Sequence, residues 1–200
     1  MTHFIFDCDD VLLDWMGGFL NYVRRCGISP DPEGPTEWDM SPWLGTSPQY
    51  ARRLVLDFNE STAFASLDAV DRAKETVWRL NDAGHTCSVL TACGDHAAVR
   101  RARYYNLGAK FNIPRMGGER LAFTQIACLP LGASKFTALY GESKRHKDLV
   151  FVEDNFQHAQ SAAVNGIKAY CIRKRHNRHD EATREQGSLV IWIDDISEVV

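Results

Sequence analysis

The feature that most constrains this chain is a short apolar segment, Phe4–Phe6, that runs directly into the acidic residues Asp7, Asp9 and Asp10. A continuous apolar run of this kind is typical of a strand that is covered on both faces. Carboxylates at the C-terminal end of such a strand lie where open α/β sheets bind their ligands. Neighbouring carboxylates repel one another, and a hard divalent cation such as Mg²⁺ would relieve that repulsion.

Further apolar runs predict the other strands of a parallel sheet. Helix-like stretches separate them, and this alternation predicts βαβ units and a doubly wound, Rossmann-like α/β fold. The predicted strands are His3–Cys8, Thr86–Thr91, Thr124–Leu129, Leu149–Glu153, Ala169–Ile172 and Leu189–Ile193. The predicted helices between them are Asp71–Ala83, His96–Asn106, Ser134–Tyr140 and Phe156–Asn165.

The first crossover is too long for a simple connection. About 60 residues precede the helix that begins at Asp71, whereas connections usually have roughly 2–6 residues. The segment has helical signals of its own at Val11–Cys26 and at Pro48–Asn59. The second begins with Pro at the first helical position, after Ser47 as the N-cap residue. We therefore predict an α/β core domain of residues 1–14 and 66–200, and a small helical cap of residues 15–65.

Composition narrows the class of protein. The 200 residues carry a net charge of -3, with 44% hydrophobic and 24% charged residues, as in ordinary globular proteins. This balance argues against a general nucleic-acid-binding protein, which would present a basic face. The sequence has no run of about 18 apolar residues and no signal-peptide pattern, so we expect a cytoplasmic protein without a membrane segment. Composition leaves the oligomeric state open.

The cysteine pattern indicates unpaired thiols. No two cysteines form a CxxC pair, and several lie inside apolar runs, where cysteine behaves as a small buried hydrophobe. A zinc site would need a tighter cluster of Cys and His. The six cysteines are Cys8, Cys26, Cys87, Cys93, Cys128 and Cys171.

Three more positions carry groups that suit phosphate or metal binding. Thr91 ends a buried strand, and Ala92 follows it; a hydroxyl and backbone N–H groups at such a point can hold phosphate oxygens. Lys135 begins a predicted helix and would serve as a point-charge partner for phosphate. Glu153 and Asp154 end a buried strand. Each also has an ordinary explanation, as a strand-end cap, a solvated lysine or an N-cap of the next helix.

Taken in order, these motifs resemble the haloacid dehalogenase (HAD) superfamily of phosphohydrolases, over roughly residues 3–172. The first family motif, Asp-x-Asp-x-Val/Thr after an apolar strand, is matched by Asp7 to Val11. The resemblance implies that Asp7 is the nucleophile that forms an aspartyl-phosphate. It implies that Asp9 is the general acid/base, which protonates the leaving oxygen and then activates water. Asp10 stands where the family often has Gly.

The resemblance also implies a Mg²⁺ site and a phosphate site. Thr91, Ala92 and Lys135 would bind the phosphoryl oxygens, with Lys144 and Lys147 as lesser candidates for the lysine. Glu153, where the family usually has Asp or Gly, would contact metal-bound water. The residues that would hold the metal are Asp7, Asp9 through its main-chain carbonyl, and Asp154.

The nearest resemblance within the superfamily is to the 5'(3')-deoxyribonucleotidase-like group. It depends on the small helical cap and on a tail that Ile191–Asp195 matches. It implies a small phosphate monoester as substrate, either a (deoxy)nucleotide 5'- or 3'-monophosphate or another phosphorylated metabolite. Cap aromatics would stack on a base or form the cap's own core; they are Phe19, Trp38, Trp43 and Tyr50. The basic run Arg173–His179 would bind a second phosphate or form a solvated, mobile loop.

Three other classes of protein share parts of this pattern. A phosphorylation-controlled receiver domain also groups Asp, Thr and Lys around Mg²⁺, but its phosphorylated Asp ends the third strand, and no Asp ends Thr124–Leu129. A non-catalytic interaction or phosphate-sensing protein would not need all four motifs. A dehalogenase would not need a leaving-group acid at Asp9.

Overall fold

A computed structural model describes residues 1–183 and 189–200 and shows a parallel α/β sheet. Six strands lie in the order β5-β2-β1-β6-β7-β8, and every neighbouring pair is parallel. Two further strands, β3 and β4, form an antiparallel hairpin beside the sheet. The strands are β1 (His3–Phe6), β2 (Thr86–Thr91), β3 (Asn112–Arg115), β4 (Gly118–Leu121), β5 (Phe123–Cys128), β6 (Leu149–Glu153), β7 (Lys168–Ile172) and β8 (Val190–Ile193).

Helices cover both faces of the sheet, so the fold is doubly wound. Apolar side chains of α4 and α5 pack on one face in a cluster with Phe4 and Phe6, and those of α6 and α7 pack on the other face with Ile5 and Phe151. The helices are α1 (Trp15–Arg25), α2 (Ser41–Leu44), α3 (Pro48–Asn59), α4 (Ala73–Asp82), α5 (Ala97–Phe111), α6 (Phe136–Arg145), α7 (Phe156–Val164) and α8 (Arg178–Thr183).

The predicted strands and βαβ order are confirmed, because long buried apolar runs determine them. The hairpin of β3 and β4 was not predicted. Its strands are short and largely polar, and β4 is exposed for most of its length. Met116 and Gly117 form the turn between them, and positive φ at Gly117 and at Gly118, the first residue of β4, is a local signal of a hairpin.

The helix ends follow local capping chemistry. Ser47 accepts a hydrogen bond from the Tyr50 N–H at 3.3 Å, and α3 has the predicted bounds. The first helix begins at Trp15 rather than at Val11, since Asp14 accepts from the Gly17 N–H at 2.9 Å and caps it there. These caps fix the entry points of the two longer helices between β1 and α4.

The helical insert between β1 and α4 shares its core with the sheet. Trp15 stacks with Phe19 and meets Phe58 edge to face, and Phe58 also contacts Phe19 and Phe64. All four rings belong to the same buried cluster as Phe4 and Phe6 of β1, on the face that α4 and α5 cover. The insert therefore packs directly on the sheet, and its division from the core as a cap of residues 15–65 stays a prediction.

All six cysteines are free thiols, as predicted. Cys26 is exposed, Cys128 is half-buried and the other four are buried. Among the helices within residues 1–183 and 189–200, none combines the length and the apolar character needed to cross a bilayer.

Candidate active site

A cavity of about 440 Å³ lies at the C-terminal edge of the sheet, between the strand ends and the insert. The ends of β1, β2 and β6 provide its floor, and α1, α3 and residues 35–40 of the insert provide its walls. Its size is in the range of small-molecule sites. The predicted site residues that line it are Asp7, Asp9, Thr91, Ala92, Lys135, Glu153 and Asp154.

A buried lysine stands between two carboxylates at the floor of the cavity. Lys135 Nζ lies 2.6 Å from Asp7 Oδ1 and 2.7 Å from Glu153 Oε2. The lysine is only 2% exposed. Burial alone would lower the pKa of Lys135, but the two carboxylates outweigh burial and raise it. The amino group is therefore charged. The alternative prediction, a solvated lysine on the surface, is wrong.

Lys144 and Lys147 lie elsewhere. Both are exposed, on or just after α6, and Lys144 Nζ sits 4.6 Å from the Tyr140 ring centroid. Neither lines the cavity. The structure thus selects Lys135 from the three candidate lysines as the one at the cavity.

The pKa values of the carboxylates around Lys135 are shifted in different directions. Burial, followed by repulsion from Glu153, raises the pKa of Asp7 well above its ordinary value. Burial also raises the pKa of Asp154, with Glu153 adding to it. Glu153 is the exception, because Lys135 and His158 outweigh its burial and lower its pKa.

These carboxylates suit a hard divalent cation. One oxygen from each of Asp7, Glu153 and Asp154 lies within 4.8 Å of the others, and all three residues are buried. These three carboxylates surround the single ammonium of Lys135, and burial together with repulsion from Glu153 raises the pKa of Asp7 and of Asp154. An all-oxygen donor set with excess negative charge is what Mg²⁺ prefers. The side chains of Asp7 and Asp154 therefore fit the predicted metal.

The Glu153 carboxylate is bound to protein groups. Oε2 accepts from Lys135, and Oε1 accepts from the backbone N–H groups of Asp154 and Asn155 at 3.1 and 3.2 Å. The N-cap of α7 is Asn155, whose Oδ1 accepts from the Gln157 N–H at 3.0 Å. The alternative role of Asp154 as that N-cap is wrong, and its carboxylate is left to the cavity.

The end of β2 supplies the predicted phosphate-binding groups. Thr91 is fully buried, and its Oγ1 has no hydrogen-bond partner among the described residues. Ala92 is half-buried in the cavity wall. Asn59, at the end of α3, donates to the Cys93 carbonyl at 2.9 Å and so ties this loop to the insert. Sequence reasoning missed Asn59; a polar residue on the buried face of an amphipathic helix was its only signal.

Asp9 has a partner that the sequence did not predict. Its carboxylate forms an ion pair with Arg103 of α5, whose side chain is fully buried. Arg103 follows two exposed arginines, Arg100 and Arg101, on the same helix and has no local sign of burial, which explains why it was missed. Asp9 itself keeps 24% of its side chain exposed and lines the cavity.

Asp10 adopts a backbone conformation that favours glycine. Its φ is 58°, in the left-handed region that glycine adopts without strain and that Asp tolerates better than most residues. Its Oδ1 accepts from the Met16 N–H at 2.8 Å, at the start of α1. Burial, with Asp154 next, raises the pKa of Asp10 to about 7.

The basic run Arg173–His179, which follows β7, packs against the site. The alternative prediction of a solvated, mobile loop is therefore wrong. Arg175 contacts the Asp31 carboxylate at 2.8 Å and the Gly34 carbonyl at 2.7 Å in the insert. His176 Nε2 lies 3.3 Å from Asp154 Oδ2. Although burial favours the neutral imidazole, Asp154 raises the pKa of His176.

The four insert aromatics divide by position. Phe19 is buried in the insert, and Trp43 packs on it at 6.3 Å between ring centroids. Tyr50 is exposed and does not line the cavity. Trp38 lines the cavity with 57% of its surface exposed, and its ring contacts that of His176 edge to face. Trp38 is therefore the one of these four that a ligand in the cavity can touch.

The parallel sheet with helices on both faces and a helical insert after the first strand form a doubly wound α/β fold, similar to that of solved haloacid dehalogenase-like proteins. No protein family model and no curated protein matches the sequence. Solved structures match it over nearly its whole length. Protein Tyrosine Kinase A of Mycobacterium tuberculosis is 20% identical with a TM-score of 0.66, and the match covers 99% of this chain and 95% of that one.

Two further similar structures are those of a hydrolase and a phosphatase. A haloacid dehalogenase-like hydrolase from Streptococcus pneumoniae is 14% identical with a TM-score of 0.64, covering 100% of this chain and 96% of that one. A D,D-heptose 1.7-bisphosphate phosphatase from B. bronchiseptica, solved with magnesium and phosphate, is 15% identical with a TM-score of 0.59 and the same coverage. At these identities the likeness establishes the fold.

Proposed function

We propose that this chain is a Mg²⁺-dependent phosphomonoester hydrolase that forms an aspartyl-phosphate on Asp7. The observation that carries the proposal is the buried cluster of Asp7, Lys135, Glu153 and Asp154 at the floor of the cavity. In this cluster the Asp7 carboxylate, the proposed nucleophile, lies beside a fixed ammonium and close to further carboxylates suited to a cation. The magnesium and phosphate bound by the heptose bisphosphate phosphatase of the same fold support this proposal.

Each group has a task in phosphoryl transfer, which depends mainly on positioning and charge neutralisation. Asp7, Asp154 and the main-chain carbonyl of Asp9 would hold Mg²⁺, which when bound would neutralise charge on the transferring phosphoryl group. Lys135 would offset the remaining charge, with its position fixed by Glu153 at 2.7 Å. The unpartnered Thr91 hydroxyl would donate to a phosphoryl oxygen.

The reaction has two steps. In the first, the Asp7 carboxylate attacks phosphorus, the ester P–O bond breaks, and Asp9 donates a proton to the departing alkoxide. In the second, Asp9 takes a proton from the water that attacks the phosphorus of the aspartyl-phosphate, releasing inorganic phosphate and the Asp7 carboxylate. The insert over the cavity would exclude other water during both steps.

The finer assignment is a nucleoside monophosphate as the substrate. A cavity of about 440 Å³ has room for a molecule of that size, and Trp38 offers an exposed ring on its wall. The alternative is another small phosphorylated metabolite, for which Trp38 would cover an apolar or sugar group. A screen of (deoxy)nucleoside 5'- and 3'-monophosphates against sugar phosphates separates the two, and Trp38→Ala should weaken nucleotides selectively if the first is right.

The test of the reaction itself uses p-nitrophenyl phosphate. We expect release of phosphate with Mg²⁺ and none with EDTA. Asp7→Asn keeps the size of the side chain but removes the nucleophile, so kcat should fall by roughly 10³-fold or more. The matched control is Asp82→Asn, at an exposed position at the end of α4. A folded Asp7→Asn variant with wild-type turnover would rule out the aspartyl-phosphate, and a non-catalytic protein would show no turnover at all.

A further inference from the structure

We propose that Arg103 is a positioning residue that fixes the orientation of the Asp9 carboxylate and links it to the end of the insert. The inference rests on the proposed function, in which Asp9 moves protons in both steps. Arg103 itself does not line the cavity. It would act through Asp9, by holding that side chain where it reaches the substrate.

The first observation is the burial of the pair. The Arg103 side chain is 0% exposed, and among the described residues its carboxylate partner is Asp9. Arginine is rarely buried without a partner, because the charge loses its hydration. The guanidinium binds Asp9 Oδ1, while the Asp9 side chain stays 24% exposed on the cavity wall. The pair thus joins a fixed interior cation to a carboxylate that faces the cavity.

The second observation is what holds the guanidinium. Its central carbon lies 4.2 Å from the ring centroid of Phe64, a cation–π contact in a dry environment. Three residues further along α5, Asn106 donates to the Phe64 carbonyl at 3.0 Å. Helix α5 therefore contacts both the ring and the backbone of Phe64. Phe64 lies where the chain leaves the insert.

These contacts make a continuous chain from the insert to Asp9. A displacement of Phe64 would remove the surface on which the guanidinium lies, and the Asp9 carboxylate would lose its fixed partner. Proton transfer is sensitive to such shifts, since the carboxylate must lie within hydrogen-bond reach of the reacting oxygen. Substrate binding at Asp7 and Lys135 does not involve the contacts between Phe64, Arg103 and Asp9. Turnover should therefore depend on Arg103 more than substrate affinity does.

The experiment is a double-mutant cycle with Asp9→Asn and Arg103→Met, assayed with p-nitrophenyl phosphate. We expect Arg103→Met to lower kcat roughly 10- to 100-fold and to change KM less than about 3-fold. In the Asp9→Asn background the same change should cost less than about 2-fold, because Arg103 then has no carboxylate to position. Arg103→Lys, which keeps the charge but not the planar fork, should recover part of the loss.

Arg101→Met is the matched control, since Arg101 is exposed on the same helix. A thermal-unfolding cycle on the same variants measures the pair without any turnover, and non-additive shifts in Tm are expected. Losses of kcat that multiply in the double variant would overturn the positioning role while leaving the hydrolase intact. If Arg103→Met fails to fold, a folded Arg103→Lys with wild-type kcat overturns it. Absence of turnover in wild type and Arg101→Met alike would defeat the proposed function and this inference with it.

Discussion

Two adjacent carboxylates in this protein have pKa values that are shifted in opposite directions. Glu153 and Asp154 follow one another in the chain and are both buried, yet the pKa of Glu153 is lowered and that of Asp154 is raised. The difference comes from Lys135, which lies 2.7 Å from Glu153 Oε2. A single ammonium thus lies between Asp7 and Glu153, whereas Asp154 Oδ2 faces His176 Nε2 at 3.3 Å.

A residue far from the cavity should control acid stability. His3 is buried, and its ring nitrogens contact the hydroxyls of Thr86 and Ser88 at 2.7 and 2.9 Å. Burial, with His146 next, lowers the pKa of His3 from 6.5 to about 4. Between these values the unfolded chain binds more protons than the folded one. Stability from this group is therefore complete above pH 6.5 and is lost as the pH falls toward 4, by up to about 3 kcal/mol.

The measurement is the free energy of unfolding in urea at pH 4.5, 5.5 and 7. His3→Asn should flatten the dependence over this range, because its side chain does not titrate. A matched His96→Asn variant, changed at an exposed position, controls for the loss of one histidine. Parallel pH curves for wild type and His3→Asn would contradict the expectation.

At the scale of elements, the turn from β6 into α7 aims Asp154 at the cavity. Asn155 caps the helix, and Glu153 Oε1 accepts from two backbone N–H groups of the turn. From the other side, Asn177 donates to the Asp154 carbonyl at 2.7 Å. The backbone of Asp154, the candidate metal ligand, is thus bonded by two side chains, and Asn155 caps the helix that follows it.

The cap of α7 should matter to stability and to metal binding together. Asn155→Ala removes the acceptor for the Gln157 N–H, and we expect a loss of about 1 kcal/mol in the free energy of unfolding. Because Asp154 is adjacent, the affinity for Mg²⁺ should also fall. Ser47→Ala, which removes the cap of α3 outside the cavity, should cost similar stability and leave the Mg²⁺ affinity unchanged. Equal Mg²⁺ affinities in the two variants would refute the link.

At the scale of the whole molecule, the insert is fastened to the sheet from both sides of the cavity. Its aromatic side chains share a buried cluster with β1. Asn59 donates a hydrogen bond to the Cys93 carbonyl in the loop after β2. On the far side, Arg175 reaches from the segment after β7 to the Asp31 carboxylate and the Gly34 carbonyl. The cavity is therefore enclosed by contacts between segments far apart in the chain.

The stability of the whole fold should depend on a divalent cation. Burial raises the pKa of Asp7 and of Asp154 above the ordinary 3.8, so the folded, metal-free protein holds protons that the unfolded chain releases. Through these two groups stability falls as the pH rises above about 4, the opposite sign to His3. A cation bound only by the folded state restores it, by about 2.7 kcal/mol at 100 times its Kd.

The measurement is Tm at pH 5.5 and 7.5, with Mg²⁺ and with EDTA. Asp154→Asn should raise the Tm of the metal-free protein at pH 7.5, because one repelling carboxylate is gone, and should abolish the increase in Tm caused by Mg²⁺. Asp82→Asn, at an exposed position, should do neither. A wild-type Tm that is the same with Mg²⁺ and with EDTA at pH 7.5 would show that the cluster does not bind the ion.

Much of the architecture could be predicted from local patterns. The strand ends that carry Asp7, Thr91 and Asp154 were identified because buried parallel strands are continuous apolar runs, and parallel order brings their C-terminal ends to one edge. The polar hairpin of β3 and β4 was missed because it has no such run. The burial of Arg103 and the contact between His176 and Asp154 were not predicted either, since the local sequence does not distinguish a buried charge from a solvated one.

The sequence by itself determined the six strands of the parallel sheet, the order of the helices between them and the polar groups at the strand ends. Burial and helix capping could be predicted because both depend on residues that are close together in the sequence. Only the tertiary structure decided which charges meet. Arg103 and Asp9 are 94 residues apart, and Arg175 and Asp31 are 144 apart. Such pairs arise from the packing of whole elements, which no neighbouring residues encode. That packing assigned the buried ammonium to Asp7 and Glu153 and left Asp154 facing the cavity.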